Sequence, residues 1–347
     1  MSSLNFNSSE KVLILSPAKD STASELISTI NENKNEFLNN LIKHGAILLR
    51  GFDIHTPKEF EQVAKAIDPN LKNDYLGTSP RDQVAGTEFV FTASELANFY
   101  PIMQHCEMSF LPNPPKKLFF YCHSEPSFGG ETPICDFRKV YQDMDPKIRA
   151  EFEQKGVMTV RNYSAPHAKS KFNLFELKSW AQMFMTEDKE AIAKKCIENG
   201  IEYEWYGDGN LRLINKTPAV INYPGTNEKV WFNHTQVFHV AASAIEYEFI
   251  HKRQKRLKIL WYSLLTKVLV GIKKATTSSF NMSMHTLFGD GSEISDSYVK
   301  HIEEVIWKNL IIFPWKKGDI LVLDNFSSSH GRLPYEGDRE ILVSWSA

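Results

Sequence analysis

The sequence predicts a mixed α+β fold in which many short strands form a sandwich or barrel interrupted by helices. Helical periodicity and capping signals occupy the N-terminal part, through about Ile67. From roughly residue 84 the pattern changes to short apolar runs bounded by Gly, Pro and Asn, and two more such runs close the chain. Many short strands with turn signals favour a sandwich or barrel over a parallel α/β sheet.

Between Ser24 and Lys43 the apolar residues Leu26, Ile27, Ile30, Phe37, Leu38, Leu41 and Ile42 recur at helical spacing. Gly45 is placed to stop that helix, and Ala46–Arg50 reads as a buried strand. Thr56-Pro57-Lys58-Glu59 combines an N-cap, a proline at the first helical position and a capping-box glutamate, so a helix is expected to about Ile67. Strands are expected at Phe89–Thr92, Leu118–Cys122, Thr132–Cys135, Gly156–Val160, Ala219–Asn222, Gly318–Asp324 and Arg339–Trp345. Helices are expected at Trp180–Met185 and Lys189–Asn199. No internal repeat or low-complexity linker appears, so residues 1–347 are read as one domain, with a helical basic insertion over 245–280. Within it, His251–Lys274 carries eight Lys or Arg and no Asp or Glu around an apolar middle. That middle, broken by Lys258 and Lys267, is too short and too charged to span a bilayer. The expected arrangement is an amphipathic helix packed on the body with its basic ends solvated. The alternative is a surface helix touching anionic membrane or a partner.

At 42% hydrophobic, 12% aromatic and 24% charged residues, the composition is globular. A net charge of −2 over 347 residues gives no polyelectrolyte character, so nucleic acid is not expected as a partner. Cys106, Cys122, Cys135 and Cys196 form no CxxC pair, which fits free thiols in a reducing cytoplasm. The N-terminus lacks a basic region followed by a long apolar core, so no signal peptide is expected.

The chemistry begins at QHCEMSF, residues 104–110. In a strand, residues i and i+2 point the same way, so His105 and Glu107 converge while Cys106 turns away. A hydrogen-bonded pair on a half-exposed strand would look the same. Far downstream, an apolar strand from Gly318 ends in the polar run Asn325–Ser329, and His330 follows it. Two histidines and one carboxylate in this arrangement form the facial-triad pattern that holds non-heme Fe(II) and leaves positions open for a 2-oxo acid and O₂. A structural zinc site would favour closed Cys/His ligation instead. Arg339, nine residues after His330, offers a guanidinium fork for a cosubstrate carboxylate, and Thr132 a hydroxyl. Alone, Arg339 also fits a surface arginine in a turn.

Longer words join these residues. LLRGF (Leu48–Phe52), the TSPR turn (Thr78–Arg81), HCEMSF and GGETPICDFRKVY (Gly129–Tyr141) run in colinear order with GVMTVRNY (Gly156–Tyr163), VWFNH (Val230–His234) and FGDGSEI (Phe288–Ile294). The final word is FPWKKGDILVLDN…HGRLPYEGDREILVSW (Phe313–Trp345). The sequence resembles the taurine dioxygenase/clavaminate synthase-like superfamily of Fe(II)- and 2-oxoglutarate-dependent oxygenases, nearest the syringomycin-pathway aspartyl hydroxylase type. The resemblance implies a double-stranded β-helix (jelly-roll) core with flanking helices. It implies His105, Glu107 and His330 as iron ligands, with Thr132 and Arg339 on 2-oxoglutarate. It further implies a hydroxylase of a small amino-acid-like or carrier-protein-tethered substrate, coupling that oxidation to formation of succinate and CO₂.

The departures matter as well. Relatives often carry a second arginine four residues after the oxoglutarate arginine, where this chain has Val343, so sulfonate specificity does not transfer. Cys106 stands where relatives have a small polar residue, and an outward-pointing side chain should tolerate that. Halogenating relatives replace the carboxylate ligand by Gly or Ala; Glu107 therefore implies hydroxylation or a related C–H oxidation. Arg81, Arg161, Asn162 and Asn233 lie in family-like words, and of these Arg81 is taken as the substrate contact. His123, His234 and His239 are expected to be structural, while His167 and His285 carry no signal. Two other readings stay open on the sequence: a zinc hydrolase using the same triad, and an inactive jelly-roll binding module.

Overall fold

The computed structural model describes residues 6–7, 12–19, 21–74, 81–94, 96–166 and 179–347. Thr78–Pro80 of the TSPR turn and His167 lie outside them. Capping chemistry sets the N-terminal helices. Thr22 and Glu25 form a capping box at the helix Ala23–Glu32, and Thr56 and Glu59 form another at Pro57–Ile67. The single helix expected over Ser24–Lys43 is in fact two, Ala23–Glu32 and Lys34–His44. Asn33 sits between them at φ −118° and ψ 30°, where its Nδ2 donates to the Thr29 carbonyl. Gly45 ends the second helix at φ 73°, donating its N–H to Leu41 O. A Cβ there would lie 2.2 Å from Ser328 Oγ, so close packing as well as φ demands glycine.

The largest sheet among the described residues has the strand order Phe6–Asn7, Leu13–Leu15, Ala46–Leu49, Ile320–Asp324, Lys117–Ser124, Glu340–Ser346, Phe91–Thr92. It is antiparallel except where Leu13–Leu15 pairs with Ala46–Leu49. Alternate residues feed two cores. Ile47, Leu49, Phe119, Tyr121, Ile320 and Val322 pack with helix residues Leu26, Phe37 and Phe60. Leu48, Leu118, Phe120, Leu321 and Leu323 turn to the opposite face, with Ile134 and Trp345. Burial on both faces explains why these strands read as unbroken apolar runs. Arg50 locks one end of this sheet through a two-pronged contact with buried Asp319, its Nη2 lying 2.7 Å from Oδ2.

Behind the second face lies a three-stranded sheet in the order Ile102–His105, Ser328–Arg332, Ile134–Asp136. A four-stranded sheet, Glu202–Tyr206, Asn210–Thr217, Val157–Tyr163 and Met284–Phe288, flanks it. Its first two strands, Met284–Phe288 and the helix Asp296–Asn309 are elements that sequence periodicity did not indicate. The hairpin turns through Gly207 and Gly209, both at positive φ.

The basic segment corrects an expectation. It is split by Lys255 (φ 53°) between the helices Ala242–Gln254 and Leu257–Thr276. The second helix turns Ile259, Ser263, Thr266 and Val270 inward, while its bulkier apolar residues face out, Leu257 at 82% and Trp261 at 59% exposure. No helix of the described residues is long and apolar enough to cross a membrane.

Candidate active site

His105 and His330 are brought together by strand pairing. They stand directly opposite each other in the pair Ile102–His105/Ser328–Arg332, and their ring centroids are 4.3 Å apart. The run before His330 turns at Asn325–Ser327 and then enters a buried strand, Ser328–Arg332, that carries His330 itself. Its polar residues find distant partners: Ser329 Oγ donates to Gln104 Oε1 at 2.7 Å, and Gln104 Nε2 donates to Pro133 O at 3.0 Å. Gln236 Nε2 reaches the Gln104 carbonyl at 2.8 Å. The residues next to the two histidines thus tie the three-stranded sheet together from its back.

Glu107 arrives differently from the strand geometry expected. The strand stops at His105, and Glu107 lies in a turn whose next residue, Met108, has φ 53°. Asn325 holds that turn. Its Oδ1 accepts from Glu107 N–H at 2.7 Å, and its Nδ2 donates to Glu107 O (3.0 Å) and Pro115 O (2.8 Å). Glu107 Oε2 then sits 4.0 Å from His105 Nε2 and 3.7 Å from His330 Nε2. Sequence reasoning passed over Asn325; an asparagine directly after a buried strand, VLDN, was the available signal. Cys106 does turn away from the site but is fully buried, packed with Met103, Cys135 and Phe137, so it points into the core and not outward. All four cysteines are buried and free.

The donor set fits a divalent metal. Two imidazoles and a carboxylate offer atoms within 4.8 Å of one another, the one such group among the described residues. His105 Nδ1–H donates to the Met103 carbonyl at 2.9 Å, which leaves Nε2 with its lone pair toward the centre. Burial, reinforced by His105 and Arg81, holds the His330 imidazole well below its ordinary pKa, so it stays neutral with a ring lone pair available.

Thr132 and Arg339 line the same cavity. Arg339 Nε donates to Gly130 O at 2.8 Å, its Nη2 lies 3.3 Å from Thr132 Oγ1, and its Cζ is 5.5 Å from the Tyr335 ring centroid. Gly130 (φ 69°) leaves room for this: a Cβ would lie 2.9 Å from Arg339 Cδ. Trp315 Nε1 donates to Thr132 Oγ1 at 3.0 Å, fixing the hydroxyl. Among the described residues no carboxylate lies within ion-pair distance of Arg339. Burial, with Arg332 nearby, lowers its guanidinium to about 10, still charged at neutral pH.

Arg81 also lines the cavity, but its Nη2 contacts Glu107 Oε2 at 3.2 Å and its Nη1 bonds the Ala93 carbonyl. Arg161, Asn162 and Asn233 serve the framework: Arg161 bonds Asn215, Asn162 the carbonyls of Phe280 and Met282, and Asn233 that of Ala219. His123 sits apart near Glu340, and His239 and His285 lie side by side elsewhere, with His239 Nε2 on Ile294 O. His234 stands outside the two-histidine, one-carboxylate cluster, in keeping with a structural histidine. It is anchored by Ser109 Oγ at 2.7 Å, yet it forms part of the cavity wall, 5.3 Å from His105 between ring centroids. Phe110, Phe238, Met284 and Tyr100 complete a largely apolar enclosure.

A model of the family described as "Taurine catabolism dioxygenase TauD, TfdA family" matches residues 18–345. The chain belongs to this family. As a TauD/TfdA member it is an oxygenase whose cofactors are Fe(II) and 2-oxoglutarate. It is 32% identical over 304 residues to the dapdiamide synthesis protein DdaC of Enterobacter agglomerans, covering 88% of this chain and 82% of that one. It is 29% identical over 326 residues to a clavaminate synthase-like protein of Arabidopsis thaliana, covering 91% and 86%. The solved taurine dioxygenase from Burkholderia xenovorans superposes with a TM-score of 0.53 at 14% identity, covering 99% of this chain and 89% of that one, a likeness of fold.

Proposed function

We propose that this TauD/TfdA oxygenase hydroxylates an unactivated C–H bond of a small amino-acid-like or carrier-tethered aminoacyl substrate. One observation carries the reading: a two-histidine, one-carboxylate cluster shares a cavity with a part-buried arginine for which no described carboxylate is a partner. In this reading His105, Glu107 and His330 hold the metal, and Arg339 with Thr132 holds the distal carboxylate of 2-oxoglutarate. Fe(II), when bound, supplies the oxygen chemistry that couples cosubstrate decarboxylation to substrate oxidation. The chain's own work is placement. Asn325 sets the Glu107 backbone, Met103 O sets the His105 tautomer, and Trp315 sets the Thr132 hydroxyl. Phe110, Phe238 and Met284 exclude water from the reacting side. Arg81, on the Glu107 carboxylate, orients that ligand and, as part of the cavity lining, is the residue taken to face an anionic substrate group. Similarity to a protein named for dapdiamide synthesis supports the small-substrate reading.

The same reading takes residues 1–347 as one catalytic domain with a double-stranded β-helix core, the helical basic segment 245–280 being an insertion in it. It places the enzyme in the cytoplasm, in keeping with four free thiols. The test is anaerobic loading with Fe(II) and 2-oxoglutarate, followed by oxygen and succinate measurement. His105→Ala and His330→Ala should each abolish Fe(II) binding and succinate formation while leaving the far-UV circular dichroism unchanged. Wild-type succinate yield from either variant would refute the assignment.

A further inference from the structure

We propose that the outward face of the helix Leu257–Thr276 is a docking surface for an anionic lipid membrane, beside the mouth of the active-site cavity. The helix is amphipathic in the reverse sense for a packed element. Its inward residues include Ser263 and Thr266, both nearly buried, whereas Leu257, Trp261, Leu264, Val268 and Ile272 are each more than half exposed. Spaced at i, i+4, i+7, i+11 and i+15, these five lie on one face, joined by Leu260 and Leu265. Together they expose on the order of several hundred Å² of contiguous apolar surface, the size that marks a contact site on a soluble protein.

Charge selects the occupant. At about 100° per residue, Lys258 falls on one flank of the apolar face and Lys267 and Lys274 on the other. Long basic side chains on both edges of an apolar face are the arrangement of a helix lying in a lipid surface, with the ammonium groups rising to the head groups. Over His251–Lys274 there are eight cations and no acid. Two of the flanking lysines contact acids on neighbouring helices, Lys267 with Glu248 and Lys274 with Asp296. These pairs are at least partly solvent-exposed and of the kind that re-pair at little cost. A second copy of the chain would set this cationic face against itself, which disfavours self-association through it. An exposed apolar helix face with basic residues on both edges suits a lipid surface.

Position links the surface to the site. Tyr262, on the same helix, stacks on Phe99 at 5.3 Å, and Tyr247 Oη donates to Phe99 O at 2.9 Å. Phe99 belongs to the segment whose Leu96 and Tyr100 line the cavity, and Leu96 and Phe99 are themselves exposed at 50% and 38%. Tyr262 thus ties the helix to the segment at the cavity, so a docked enzyme would hold that segment close to the lipid surface.

The test is sedimentation of the full-length protein with vesicles of phosphatidylcholine alone and of phosphatidylcholine mixed with phosphatidylglycerol. Binding is expected to the mixed vesicles only and should fade as salt is raised. Lys258→Gln should weaken it about fivefold. Leu264→Gln combined with Val268→Gln should weaken it roughly 30-fold, from two half-exposed apolar side chains. Both positions are exposed, so the variant should keep the wild-type Tm and succinate yield. Absence of binding to mixed vesicles overturns the proposal. If light scattering then shows a dimer that the double variant dissolves, a second copy covers the face. If the protein stays monomeric, the face is left for an acidic protein. Vesicle binding that the double variant leaves intact also overturns it, because another surface would be responsible. The vesicle-binding, Tm and light-scattering readouts do not depend on the oxygenase assignment.

Discussion

Replacing Arg339 by alanine tests the cosubstrate site most directly. The guanidinium is held before any ligand arrives, by Gly130 O, by Thr132 Oγ1 and by the Tyr335 ring. Little side-chain entropy is then lost on binding, and the fork meets a carboxylate in a partly buried setting. Removing one side of a buried, hydrogen-bonded charge pair costs about 2–5 kcal/mol. At about 1.4 kcal/mol per decade, 2-oxoglutarate affinity should fall roughly 30-fold to several-thousand-fold. Fe(II) affinity should stay near wild type, since the three ligand side chains are untouched. Arg339→Lys should recover only part of the loss, because an ammonium group cannot make the two-pronged contact or span both present acceptors. Val343→Ala supplies the control. Val343 is buried among Phe120, Leu323 and Trp345, so its truncation should cost about 1–3 kcal/mol of stability and leave oxoglutarate affinity alone. The assay is an anaerobic titration of the Fe(II) protein with 2-oxoglutarate, followed by its visible charge-transfer absorption. Wild-type affinity in Arg339→Ala would mean that the cosubstrate carboxylate binds elsewhere.

Asn325→Ala removes the partners of three buried backbone groups, and at about 1–3 kcal/mol each the fold should lose at least 3 kcal/mol by urea denaturation; Fe(II) affinity should fall about 10- to 100-fold as Glu107 loses its anchor. An unchanged metal affinity would remove Asn325 from the site. With a carboxylate at position 107, the substrate-loaded enzyme in high chloride should yield oxygenated and no chlorinated product by mass spectrometry; a chlorinated product would contradict the hydroxylase reading. Glu303 is fully buried with neither carboxylate oxygen hydrogen-bonded, and burial beside Glu246 raises both groups, Glu246 to about 7. Folded-state values above the unfolded value mean stability present at low pH and lost as pH rises through the folded values, by up to about 1.4 kcal/mol per pH unit per group. Glu303→Leu should therefore stabilise the protein, with a gain that grows from pH 5 to pH 8 in urea denaturation; a gain independent of pH would deny the raised value.

The candidate site residues were legible in the sequence because their chemistry is local or motif-bound: His105 and Glu107 two apart, His330 after an apolar strand, Arg339 in the closing word. The helix caps at Thr56 and Gly45 were legible because each is settled by neighbouring residues. What escaped was set at long range. The strand Ser328–Arg332 is polar and fully buried, and no apolar run marks it because Ser329 finds its acceptor 225 positions away in the chain. Asn325 acts across 218 positions on Glu107. The apolar face of Leu257–Thr276 was expected to pack inward because periodicity defines a face without saying which way it turns. That choice belongs to the helix Ala242–Gln254 and its neighbours, which accept Ile259, Ser263, Thr266 and Val270 instead.

Met108 shows why the strand argument brought the proposed ligands together through the wrong geometry. A continued strand would have carried Glu107 onward along the sheet. The turn folds it back beside His330, at the cost of placing a non-glycine residue at φ 53°. That conformation costs roughly 1–2 kcal/mol for an L-residue, and Met108→Gly would relieve it. The same substitution empties a buried position, since Met108 is 4% exposed and packs with Phe110, Leu111 and Phe238. Truncating a buried methionine costs about 2–5 kcal/mol, so the packing loss outweighs the backbone relief. Met108→Gly should be destabilising by about 1–3 kcal/mol net in urea denaturation. Because Asn325 still clamps Glu107 on both its N–H and its carbonyl, Fe(II) affinity should change far less than in Asn325→Ala. A more stable Met108→Gly protein would show that the side chain contributes little to the core. Lost metal binding at retained stability would show that the methionine, and not the asparagine, sets the glutamate.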